Sequence, residues 1–295
     1  MAGGESVGLS IGLVGGAAAY HGKAFAALLS DYNRTRYEGL GWWAPERRVA
    51  GASVTVVWDA DIEAARRLAW AAKIPRVAEE PEELLGTVDG VILVDDGSMR
   101  HQRHAGIFFH AGLPVFIDKP LAPSFSEARA IAAQASECGA PLMSCSALRF
   151  AAELATVRER LADVGEIVSV EGRCRGQMFY YGIHLLEALM AALPGDLELV
   201  GHGRRNEIQW AEFEHQRGYP VRLEVSEEWA YLLELTFRGS RGHLTVPFTD
   251  AEGFYGNLME QVVRFVRRRE ADPLLARTLR QIELLEPTRE DELSA

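Results

Sequence analysis

Apolar residues in the first half of the chain come in short unbroken runs, each followed by a stretch with helical spacing. Residues 7–15 (VGLSIGLVG) form such a run and end in glycine. Phe25, Leu28, Leu29 and Tyr32 then recur at intervals that fit a helix over 22–33. The same alternation predicts strands at 53–58, 75–78, 89–94, 113–117 and 140–145, with helices at 61–72, 81–86, 99–111 and 124–138. Continuous apolar strands separated by helices belong to a parallel sheet covered on both faces. About six such steps make a doubly wound, Rossmann-type sheet. The stretch 34–52 (RTRYEGLGWWAPERRVAGA) reads as an irregular insertion, punctuated by Gly and Pro.

The pattern changes after residue 150. A helix at 152–163 leads to 166–175 (EIVSVEGRCR), which alternates like a half-exposed strand. A helix at 182–193 stops at Pro194–Gly195, and strand-like runs follow at 197–203, 206–212, 221–227, 231–238 and 242–247. Helices at 254–269 and 274–285 complete the second half. The expected fold class is therefore α/β: a Rossmann domain over 1–148 and an α+β domain over 149–295 with a mostly antiparallel open sheet.

Composition adds limits. The 295 residues suit two cores rather than one. A net charge of −11 argues against nucleic acid and against anionic membranes, both of which need clustered positive charge. No apolar run reaches the ~18 residues of a membrane span, and the N-terminus lacks a basic leader region. Cys138, Cys145 and Cys174 form no CxxC, so reduced thiols in a cytoplasm are the expectation. His101, His104 and His110 share one predicted helix, but no carboxylate or cysteine at matching spacing completes a metal site.

The turn after the first strand is Gly12-Leu-Val-Gly15-Gly16-Ala17-Ala18-Ala19-Tyr20-His21-Gly22. Glycines at such a turn let backbone approach a pyrophosphate, which also meets the unpaired N–H groups of the next helix. Gly15, Gly16 and Ala17 keep the turn small, but Tyr20 falls where a third glycine is usual, so the loop must be shaped differently. An ordinary strand-to-helix turn is the alternative. His21 lies near the phosphate position, as a ligand contact or as loop filler. Asp59, at the end of the second long strand, can accept hydrogen bonds from an adenosine ribose, which favours NAD over NADP. The insertion at 34–52 accounts for the long separation of Asp59 from the glycines.

Gly112-Leu-Pro-Val-Phe-Ile-Asp118-Lys119-Pro120-Leu-Ala122 places a lysine at the C-terminal end of a buried strand, where open α/β sheets bind ligands. Pro120 holds Lys119 extended, and Asp118 is its neighbour. This run resembles the glucose–fructose oxidoreductase and inositol dehydrogenase (Gfo/Idh/MocA) family, whose hallmark is an acidic-Lys-Pro triplet after a strand. Residues 88–122 as a whole look like that family's fourth and fifth strands, with His101 at the histidine that opens the intervening helix. Residues 166–187 look like its first C-terminal strand and GxH helix, with His184 at the histidine.

The resemblance implies a nicotinamide cofactor and hydride transfer to or from a sugar, a cyclitol or a related polyol. It implies that Lys119 polarises the carbinol oxygen, that His184 is the base, and that the Lys119–Pro120 bond is cis. It also implies a homodimer or homotetramer built through the C-terminal sheet. Asp96 stands in the turn that faces the cofactor, where only a hydroxyl partner suits it. Tyr180 occupies the place of an acidic residue near the substrate, and Tyr181 follows it. Arg149 falls where the family often has a cleft-facing arginine, as a clamp for an anionic substrate group or as a structural link. Glu187, one turn after His184, either orients the imidazole ring or is a solvated residue of the helix face. The loss of the acidic residue and of the glycine pattern keeps a second reading open, a non-catalytic dinucleotide- or sugar-binding sensor or scaffold.

Overall fold

A computed structural model describes residues 8–94 and 100–289. The chain divides into two compact units. The first takes the residues up to Ala122, then Ser126–Ser144 and Tyr255–Leu275; the second takes Pro123–Phe125, Cys145–Phe254 and the residues from Ala276 onward. The segment 255–275, counted with the second half when the sequence is divided at 148, clusters with the first unit.

In the first unit six strands form one sheet: β1 (Leu9–Val14), β2 (Ala52–Trp58), β3 (Arg76–Val77), β4 (Gly90–Leu93), β5 (Val115–Ile117) and β6 (Leu142–Met143). Their order is β3-β2-β1-β4-β5-β6 and every pairing is parallel. This is the doubly wound order, with its switch point between β1 and β4. Every residue of β4 and β5 is buried, as strands covered on both faces require.

Helices α1 (Tyr20–Leu29), α2 (Arg34–Gly39), α3 (Ile62–Ala72), α4 (His101–His110) and α5 (Phe125–Glu137) connect these strands. Asp61 caps α3 by accepting from the N–H groups of Glu63 and Ala64. α2 corrects the reading of 34–52 as wholly irregular. The Asn33 side chain accepts from the Arg36 N–H and starts a helical turn, and the fully buried Tyr37 anchors it against Tyr32 and Trp42. The helix expected at 81–86 is a single 3₁₀ turn, Pro81–Leu84.

The second unit contains α6 (Glu153–Val164), β7 (Ile167–Arg175), α7 (Ile183–Ala192), β8 (Leu197–Arg205), β9 (Ile208–His215), β10 (Pro220–Ser226), β11 (Leu233–Gly239) and β12 (Gly242–Pro247). The sheet order is β12-β11-β7-β10-β9-β8, antiparallel except for the β7–β10 pair. α6 and α7 cover one face. Alternate residues of β7, β9, β10 and β11 turn to the other face. There Arg238 pairs with Glu171, and Arg222 pairs with both Glu212 and Glu224.

α8 (Ala251–Arg268) enters the first unit at Tyr255, and α9 (Leu275–Leu285) belongs almost entirely to the second. Within the first unit Glu260 on α8 accepts from Arg47 at 2.6 Å, and Arg267 and Arg269 donate to the carbonyls of Gly51 and Gly112. No described helix is long and apolar enough to cross a membrane.

Candidate functional site

The glycine turn is a close-packed device. Gly15 and Gly16 both have positive φ, at 73° and 65°. A Cβ on Gly16 would lie 2.3 Å from the Val94 carbonyl oxygen, and one on Gly22 would lie 2.0 Å from the Gly16 carbonyl oxygen. Gly22 therefore does what a third glycine does, letting helix α1 lie against the turn. The expectation centred on position 20 is corrected two residues along. Tyr20 is half exposed and stacks on Trp43 at 6.1 Å between ring centroids. Asp59 follows β2 and accepts from the Ala17 N–H at 2.7 Å and the Asp61 N–H at 2.8 Å. Its carboxylate thus fastens the glycine turn to the end of the second strand, next to where an adenosine ribose sits in such folds. These features fit a dinucleotide: a turn without side-chain bulk, a helix N-terminus and a carboxylate at the adjacent strand end.

Asp118-Lys119-Pro120 leaves the C-terminal end of β5, with the Lys119–Pro120 bond cis. Asp118 is buried, and its Oδ2 lies 2.5 Å from His21 Nδ1. His21 Nε2 lies 2.9 Å from the Tyr255 hydroxyl on α8. His21 thus donates from Nδ1 to the carboxylate and meets the phenol through its other ring nitrogen. Its ring also stacks on Phe25 at 5.5 Å. Burial pushes the Asp118 carboxyl up. The charge and hydrogen bond of His21, joined by Lys119, outweigh that and hold it below the ordinary carboxylate value. His21 is thus a strut between the glycine turn and the lysine-bearing loop. His101, at the start of α4, is buried and bonds through Nδ1 to the Leu121 carbonyl at 2.8 Å, bracing the same loop from another side. Asp96 lies outside the described residues.

In the second unit a wide π-type turn, Met178–Gly182, precedes α7 and carries Tyr180 and Tyr181. Such turns are frequent at functional sites. Tyr180 is half-buried with its ring edge-on to Phe179, and Tyr181 is exposed with its ring 6.0 Å from that of His184. His184 Nδ1 lies 2.6 Å from Ser146 Oγ.

The geometry bears on two residues whose readings the sequence left open. Glu187 does not orient His184. Its carboxylate, with 0% exposure, receives Arg149 Nε at 2.9 Å, Arg149 Nη2 at 3.2 Å and the Ser146 N–H at 3.3 Å. Arg149 is not held out as a clamp for substrate. Its guanidinium is buried, and Nη2 also donates to Thr278 Oγ1 at 3.1 Å. A carboxylate and a guanidinium that are both out of water must satisfy each other, which sets the partners of both. Among the described residues no cluster of three or more His, Cys, Asp or Glu side chains could hold a metal ion.

Comparison with known proteins bears on this geometry. Residues 9–145 match the GFO_IDH_MocA model, described as an oxidoreductase family with an NAD-binding Rossmann fold. The matched residues, a little under half of the chain, are similar to that family's NAD-binding domain. Inositol 2-dehydrogenase 2 of Paenarthrobacter aurescens (strain TC1) is 31% identical over 157 residues, 50% of this chain and 42% of that protein. The match therefore spans less than half of that curated relative.

Two solved structures share the fold along nearly the whole chain. GenD2 from gentamicin A biosynthesis, in complex with NAD, has a TM-score of 0.79 at 19% identity, covering 99% of this chain and 97% of that one. The myo-inositol dehydrogenase of Lactobacillus casei, in complex with NAD(H) and myo-inositol, has a TM-score of 0.74 at 16% identity, covering 97% and 95%.

The roles of three residues escape a reading from sequence: Gly22, Tyr255 and Ser146. Gly22 had a signal, a second small residue one turn into the helix. Tyr255 and Ser146 act across 234 and 38 residues of chain, and no local spacing marks them.

Proposed function

We propose that the protein is an NAD-dependent dehydrogenase that moves a hydride between the nicotinamide and a carbinol carbon of a cyclitol, sugar or related polyol. The observation that carries this reading is the Asp118-Lys119-Pro120 turn at the C-terminal end of β5 in an NAD-binding Rossmann domain. The name of the curated relative and the myo-inositol in the Lactobacillus casei structure make a ring polyol the first substrate class to test.

When bound, the nicotinamide supplies the hydride acceptor. The chain supplies the rest. The Lys119 ammonium, kept beside the buried Asp118 carboxylate, holds the substrate hydroxyl and polarises its oxygen. The family resemblance gives His184 the role of base, to take the hydroxyl proton as the carbon–oxygen double bond forms and to return it in the reverse direction. Tyr180 stands where the family resemblance puts a carboxylate and offers a phenol to a substrate hydroxyl, with Tyr181 on the solvent side. Gly15, Gly16, Ala17 and the first turn of α1 receive the pyrophosphate, with His21, His101 and Pro120 shaping the surrounding loops. The Asp59 carboxylate repels a 2′-phosphate, which favours NAD over NADP.

Calorimetric titration with NAD, NADH, NADP and NADPH, followed by turnover on a polyol panel, tests the proposal. NAD or NADH binds most tightly, at least one cyclitol or sugar yields NADH, and Lys119→Ala lowers kcat by about 10²–10⁴-fold. Failure of all four nucleotides to bind overturns the proposal. Binding of NAD with no turnover of any polyol moves it to the sensor reading, which the phenol at position 180 favours.

A further inference from the structure

We propose that Ser146 is the positioning residue of His184, its hydroxyl accepting the proton on Nδ1 so that the basic lone pair lies on Nε2. This rests on the reading of His184 as the base and adds what sets its ring and tautomer.

The argument is geometric. His184 and Glu187 are three apart on α7 and so share a face. Both grip one residue of the loop that follows β6: Glu187 accepts from the Ser146 N–H, and His184 meets its hydroxyl. Arg149, three residues beyond Ser146, neutralises Glu187 and ties it to Thr278. The ion pair thus fixes the backbone of Ser146, and the fixed backbone fixes the hydroxyl. Ser146 is 1% exposed, so its hydroxyl has no solvent to turn to. Its Oγ also accepts from the Leu148 N–H at 3.2 Å, which narrows the directions left to it.

A ring nitrogen's partner decides which nitrogen carries the proton. A carboxylate partner would also favour the imidazolium. A hydroxyl partner orients the ring without adding charge, which suits a base that must start neutral. Glu187, one turn along the same helix, does not do this, since its two oxygens already take Arg149 and the Ser146 backbone.

The test is ¹⁵N NMR of the imidazoles in the full chain near neutral pH, with the His184 signals assigned by their loss in His184→Asn. The expected spectrum has the proton on Nδ1 in the unmodified protein. In Ser146→Ala it moves toward Nε2, and Ser146→Thr, which keeps a hydroxyl, restores the Nδ1–H form. A wild-type proton on Nε2, or a spectrum indifferent to Ser146→Ala, overturns the proposal, and the wild-type spectrum decides even where a variant does not fold. Kinetics separate it from the broader reading. Ser146→Ala lowers kcat by about tenfold to a hundredfold, less than loss of His184 itself, while the affinity for NAD stays unchanged. Turnover that survives His184→Asn removes His184 as the base while leaving the Ser146 contact to stand on the spectrum alone.

Discussion

Asp118 carries the most consequential charge in the first unit. Its carboxyl is buried yet held below the usual value, because His21 and Lys119 outweigh the desolvation. A depressed folded-state pKa gives stability that is complete above the unfolded value, about 3.9, and is lost as pH falls through the lower folded value. Asp118→Asn should therefore lower the unfolding free energy at neutral pH by about 2 kcal/mol, the scale of a charged hydrogen bond. Denaturant titrations of both proteins from neutral to strongly acid pH should show the gap closing only below the ordinary carboxylate range. A gap independent of pH would mean that shape, not charge, is what the aspartate provides. Lys119 at a strand end and Asp118 beside it were legible as a pair in the sequence. The imidazole and the phenol that complete the chain came from residues 97 and 137 positions away, and no sequence pattern brings those together.

At the scale of elements, helix α1 depends on a contact that admits no side chain. A Cβ at Gly22 would press on the Gly16 carbonyl from 2.0 Å, and backbone on both sides leaves nothing soft to yield. Gly22→Ala should cost about 1–3 kcal/mol as an overpacked site and weaken NAD binding, since the same shift opens the turn. Gly39, in the last turn of α2, meets nothing within 4 Å. Gly39→Ala should raise stability by about 0.5–1 kcal/mol through the unfolded state and leave NAD binding unchanged. Thermal unfolding and NAD titration of the two variants side by side check both. Element types were mostly readable because continuous apolar runs and helical spacing are physical requirements of a covered parallel sheet. α2 was not, because its single buried Tyr37 and its Asn33 cap are too short a signal beside Gly and Pro. The exchange of roles between Tyr20 and Gly22 was equally hidden, since it depends on how the loop bends.

At the scale of the whole molecule, neither unit is one continuous piece of chain. The parallel and antiparallel sheets and the two-part architecture followed from the alternation of patterns, but the strand order of the second sheet and the return of 255–275 to the first unit did not. An amphipathic helix does not announce which core it covers. A fragment ending near residue 150 lacks Tyr255, the partner of His21; Glu260, the partner of Arg47; and Asp272, whose N–H bonds the Leu142 carbonyl. Such a fragment should show a broad, weakly cooperative thermal transition and rapid amide exchange along β6. A sharp two-state transition matching that of the full chain would contradict the assignment of those residues.

The same interleaving sets a timetable for the newborn chain. The segment that completes the Rossmann core leaves the ribosome only after residues 145–254 have passed. At roughly 5–20 residues per second, the N-terminal sheet waits on the order of ten seconds for its last helix. During that interval the apolar surface meant for Val262, Val263 and Val266 has no cover, and a chaperone that binds nascent apolar stretches would find its opening there.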